Sequence, residues 1–129
     1  MSAENVDIVR EAFASAGPLA DYKRLAPDAE FDFTAAYPDQ PLLRGVEELR
    51  AFRDTGPWGK SMRFTAERYF DVDDERVLVF VRATALGQQS GTPVATAFAH
   101  EFVLREGLIV RVRVHPNRAE ALKAVGLQE

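Results

Sequence analysis

The sequence predicts one α+β domain in which N-terminal helices cover the concave face of a curved antiparallel sheet. Three observations carry this. Apolar residues recur at helical spacing in the first half of the chain, the segments from Met62 to His115 are strand-like, and Asn117 opens a short terminal helix with a capping pattern.

Val6, Val9, Phe13 and Ala16 share one face of a helix over residues 3–16, which Gly17-Pro18 ends. A short second helix carries Leu19, Tyr22 and Leu25 and stops at Pro27. Glu30-Phe31-Asp32-Phe33 alternates polar with aromatic, a strand signature, and the prolines of TAAYPDQP make the next stretch a loop. A third helix starts at Gly45, with Glu47 and Glu48 in its first turn and Val46, Leu49 and Phe52 on one face, and stops at Thr55-Gly56-Pro57. Asp73-Asp74, GQQSGTP and Glu106-Gly107 divide residues 62–115 into four antiparallel strands in meander order. Asn117 caps the last helix, with Glu120 at the capping-box position and Gly126 at its end.

At 129 residues the chain is a single domain, residues 1–129, with one core. The formal net charge of −4 leaves no basic footprint for nucleic acid. The absence of cysteine excludes disulfides, thiolate metal sites and a cysteine nucleophile, and two histidines among few carboxylates lead us to expect no metal and no cofactor. No run approaches the roughly 18 apolar residues of a membrane span, and MSAENVDIVREAF lacks the pattern of a secretory leader, so no membrane partner and a cytoplasmic location are expected.

Both histidines lie in FAHEFVLREGLIVRVRVHP, and the register of that hairpin decides where they point. A two-residue loop pairs His100 with Arg113 and Phe102 with Arg111, which mixes charge into both faces. A three-residue loop, with Gly107 left-handed in a G1 bulge, pairs Leu104 with Leu108, Phe102 with Val110, His100 with Val112 and Phe98 with Val114. The second register separates apolar from charged residues and sets Glu101 opposite Arg111, so it is the one expected. His100 then points inward among Phe98, Phe102 and Val112, either as a neutral core ring or as a polar group in a pocket. His115 points outward beside Pro116 as a surface or interface residue.

The helix order, the EFDF strand, Arg44-Gly45 after a proline loop, and the ending HEFVLREGLIVRVRVHPNRAEALKAVGL resemble the SnoaL-like polyketide cyclases of the nuclear transport factor 2-like superfamily. The resemblance covers nearly the whole length. It implies a cone-shaped fold with a pocket at its open end, and it is specific for fold and weak for activity. In the superfamily's ketosteroid isomerases the proton-abstracting carboxylate aligns with Phe33, which cannot take a proton, and the oxyanion-stabilising acid aligns with His100, which can donate a hydrogen bond. The epoxide-hydrolase positions align with Phe31, Phe33, Val81, Ala83 and Val114, all apolar here. A slip of one residue in the first strand exchanges Phe33 for Asp32, which otherwise faces away from the core as a solvated carboxylate.

The expected pocket face is Phe31, Phe33, Val81, Ala83, Phe98, Phe102, Val112 and Val114 around His100, with Tyr37 and Trp58 at the mouth as plugs or ligand contacts. This pattern points first to binding of a small apolar or aromatic molecule. The alternatives are an isomerase or aldol-type cyclase using His100, with Asp32 as a second candidate for acid–base work, and a dimerising module without ligand. Leu78, Phe80, Val103 and Ile109 are expected on the outer face, to be covered either by a second copy of the chain, as in homodimers common in the superfamily, or by C-terminal residues.

Overall fold

The computed structural model describes residues 2–14, 22–35, 39, 42–55, 63–86 and 93–127. Its elements are α1 (Ser2–Ala14), β1 (Leu25–Asp32), β2 (Leu43–Arg44), α2 (Gly45–Thr55), β3 (Arg63–Asp71), β4 (Arg76–Leu86), β5 (Pro93–Arg105), β6 (Leu108–His115) and α3 (Arg118–Ala124). The strands form one sheet in the order β2-β1-β6-β5-β4-β3, in which β1 and β6 run parallel and every other pair antiparallel.

The expected helix ending at Pro27 is not formed at Leu25–Pro27, which belong to β1. The Leu25 N–H donates to Tyr22 O at 3.1 Å, closing a turn, and the Ile109 N–H donates to Arg24 O at 2.7 Å, drawing the segment onto β6. Pairing across the sheet overrides a weak helical period. The parallel register breaks between Leu25 and Glu30, so Pro27 falls in an irregular stretch where its missing N–H costs no ladder bond.

The β5–β6 hairpin takes neither expected register. Arg105 pairs with Leu108 across a two-residue turn in which both Glu106 (φ 53°) and Gly107 (φ 79°) are left-handed, the geometry of a type I′ turn. Leu104 pairs with Ile109, and then Val110 is passed over, so Val103 meets Arg111, Phe102 meets Val112, Glu101 meets Arg113 and His100 meets Val114. The bulge at Val110 adds the one residue that the short turn left out. The expected separation of faces therefore survives with the partners shifted: His100, Phe102, Val112 and Val114 share one face, and Glu101, Arg111, Arg113 and His115 the other.

α1 and α2 cover the first of these faces. Val9, Phe31, Val77, Val79, Val81, Phe102, Leu104, Ile109 and Val112 are buried there against Val6 and Phe13 of α1 and Val46, Leu49 and Phe52 of α2. Ile109 was expected outside; it precedes the bulge and so joins this core. On the other face Leu78, Phe80 and Ala99 are buried under Ala121, Leu122 and Val125 of the C-terminal segment, so the chain's own C-terminus covers Leu78 and Phe80. The cap that starts α3 is as expected, with the Glu120 N–H donating to Asn117 Oδ1 at 2.9 Å. Arg118 then ties the helix to the sheet through the carbonyls of Phe98 and Val81, the Glu67 carboxylate and the ring of Phe80.

Because the turn needs two left-handed residues, Glu106→Asn should stabilise the domain by about 0.5–1 kcal/mol and Gly107→Ala should destabilise it by about 1–2 kcal/mol in urea denaturation. Equal stability for Gly107→Ala and the parent would contradict the turn.

Candidate functional site

The concave face is packed at most of the positions expected to line it. Phe31, Val81, Phe102 and Val112 are between 0% and 2% exposed and form part of the core, Ala83 and Val114 are buried, and Phe98 is half-buried. Phe33 stacks at 5.1 Å on Phe52 of α2. Tyr37 and Trp58 lie outside the described residues.

Among the described residues His100 is the buried polar or charged residue, and it belongs to this face. Alternation along β5 turns it inward, where it is 7% exposed. Among the described residues three phenyl rings lie against it: Phe64 of β3 at 5.4 Å, Phe102 of β5 at 6.3 Å and Phe13 of α1 at 6.5 Å. Phe13 in turn meets Tyr69 at 6.3 Å and Phe102 at 5.8 Å. Nε2 of His100 is buried without a hydrogen-bond partner, a state that costs about 1–3 kcal/mol. Burial, helped by the charge of His115, lowers its pKa from 6.5 to about 4, so the ring is neutral at pH 7.

Phe13 and Phe64 were not foreseen in this cage. For Phe64 the signal was there, since Arg63-Phe64-Thr65-Ala66 alternates and pairs with Thr84 to Val81 so that Phe64 and Ala66 share the face of Ala83 and Val81. A register shift at Glu67 then hides Tyr69 from the same count.

Asp32 stands on the opposite face from His100. Its neighbour Phe31 is buried in the core, while Asp32 accepts from the Thr34 hydroxyl at 2.6 Å and the Thr34 N–H at 3.0 Å. Its other oxygen lies 3.4 Å from Arg113 and 3.7 Å from Arg111. The Thr34 hydroxyl chiefly, then the Thr34 amide and the two guanidinium groups, outweigh burial and hold its carboxyl below the usual range. The fold brings together no His100–Asp32 pair. His115 also faces outward, where its Nε2 lies 2.9 Å from Glu101, itself held low mainly by this contact. Among the described residues no group of three or more His, Asp or Glu is placed to hold a metal ion. No helix among them is long and apolar enough to cross a membrane.

The arrangement offers a neutral, unpartnered imidazole nitrogen inside an aromatic cage, with the Asp32 and Glu101 carboxylates on the far side of the sheet. Between pH 6.5 and about 4 the unfolded chain binds a proton at His100 that the folded chain refuses. Stability is then complete above pH 6.5 and falls by about 3 kcal/mol as the pH drops to 4. His100→Leu should be at least as stable as the parent at pH 7, by up to about 1–3 kcal/mol, and lose most of that slope in denaturation curves; an unchanged slope would exclude His100 as its source.

Against known proteins, the SnoaL-like domain model matches residues 9–112. No curated protein matches the sequence. Solved structures share the fold. One is a provisional SnoaL-like polyketide cyclase from Jannaschia sp. CCS1, 19% identical, with a TM-score of 0.69 over 98% of this chain and 94% of that one. A second is an NTF2-like protein of unknown function from Burkholderia pseudomallei K96243, 22% identical, with a TM-score of 0.69 over 95% and 98%. A third is TerC co-crystallised with polyporic acid, 17% identical, with a TM-score of 0.69 over 95% and 98%. With α1 and α2 on one face of a curved six-stranded sheet, α3 on the other and a family match spanning most of its length, the chain belongs to the SnoaL-like domain family.

Proposed function

We propose that the domain binds a small, uncharged, mainly aromatic molecule on its concave face, with Nε2 of His100 as the polar anchor. The observation that carries this reading is the buried, unpartnered nitrogen among Phe13, Phe64 and Phe102. A ligand hydroxyl or carbonyl there would satisfy the nitrogen while its ring replaces aromatic contacts. The fold neighbour co-crystallised with polyporic acid supports small-molecule binding as a use of this fold. The preference for a neutral ligand rests on this chain's own residues, because an anion beside a neutral imidazole would lose its hydration without gaining a counter-charge.

The isomerase or cyclase reading has less support. A general base working near neutral pH wants a pKa near 7 and a carboxylate or water to orient it, whereas His100 is depressed to about 4 and Asp32 faces the other way. At pH 7, 2-naphthol should bind, 2-naphthoate should bind about tenfold more weakly or worse, and His100→Leu should weaken 2-naphthol binding by up to about tenfold, as measured by calorimetry. Failure of 2-naphthol to bind, or equal binding of the carboxylate, would contradict the proposal.

For the outer face, the part beyond α3 supports pairing with a second copy. Glu101, Arg111 and Arg113 put charges of both signs beside half-buried Val103, and Nε of Arg111 is buried without a partner. Sedimentation should give a dimer mass that Val103→Glu converts to a monomer; a monomeric parent would overturn this.

A further inference from the structure

We infer that the ring of Phe64 is the movable wall of the His100 cage, and that ligands reach the imidazole by displacing it; this rests on the binding reading above. The juxtaposition that carries the inference is an exposed phenyl set edge-on against a buried imidazole whose nitrogen lacks a partner. Phe64 is 44% exposed, while His100, 5.4 Å away with the ring planes at 63°, is 7% exposed.

The other two walls are held more firmly. Phe102 is 2% exposed and sits on β5, bonded on one side to β4 and on the other to β6. Phe13 is half-buried on α1 and meets the rings of Tyr69, His100 and Phe102 together. Phe64 is the second residue of β3, the edge strand, paired on one side to Ala83 of β4, and its one ring contact among the described residues is with His100. That edge-to-face contact is the one ring restraint on Phe64 among the described residues, and swinging the ring about χ1 breaks no backbone bond. The ring shields the nitrogen from water while the site is empty and yields to a flat ligand that takes its place. Bulk at position 64 then sets which ligands enter.

Diethyl pyrocarbonate tests this without any assumed ligand, since it acylates a neutral imidazole nitrogen it can reach and the two histidines separate by peptide mass mapping. His115, on the opposite face, is the internal reference. In the folded parent His100 should react slowly, and in Phe64→Ala its rate should rise by about tenfold, the upper end of what an edge-to-face contact holds, with His115 unchanged. Phe64→Leu should fall between the two. An unchanged His100 rate in Phe64→Ala overturns the inference, as does an equal rise at both histidines, which would mean a general loosening. The two proposals fail separately: faster acylation of His100 with no 2-naphthol binding leaves the wall and removes the ligand, and 2-naphthol binding with unchanged acylation does the reverse.

Discussion

Two left-handed residues at Glu106-Gly107 and one extra residue at Val110 act as a single constraint on this domain. The tight turn alone would set His100 opposite Arg113 and Phe102 opposite Arg111. The bulge advances β6 by one position before the pairing reaches Val103, and His100 meets Val114 while Phe102 meets Val112. Val112 and Val114 inherit their place beside Phe102 and His100 from that correction, because alternation admits no partial slip. The tight turn itself sets Ile109 against Leu104 in the core, and the bulge leaves Arg111 and Arg113 outside to meet Asp32.

The consequence is a sheet with chemically opposed faces. Outside, Asp32 lies beside Arg111 and Arg113 and Glu101 beside His115, and the carboxyl groups of Asp32 and Glu101 are held low by hydrogen bonds and cations. Inside, His100 has lost its hydration without gaining a carboxylate, so it stays neutral. A lone imidazole under these conditions is better suited to orient one hydrogen bond than to shuttle protons. In the proposed binding site the Phe13, Phe64 and Phe102 rings would supply the apolar body and His100 the polar direction.

Much of this was legible in the sequence, and the omissions have physical causes. The element order from α2 onward, the strand positions from residue 63 onward and the inward aim of His100 followed from periodicity, because a period of two survives any even number of offsets. The individual partners did not follow, since turn type and bulge trade against each other and only their sum decides the faces. The segment at Leu25–Pro27 looked helical because its apolar spacing carries no trace of the β6 edge waiting for it. β2, two residues long, is too short to leave a pattern. In the site, the sequence named the imidazole but not its walls: Phe13 and Phe64 come from α1 and the far edge strand, and converge only in three dimensions. It also treated Phe31, Val81 and Val112 as lining an open cone, whereas α1 and α2 pack against them.

The most direct test of the account is ¹⁵N NMR of the two imidazoles at pH 7, with and without 2-naphthol. The account predicts a neutral His100 whose Nε2 resonance moves on adding the ligand while that of His115 stays in place. A His100 that is already protonated at that pH, or ligand-induced shifts confined to His115, would contradict it.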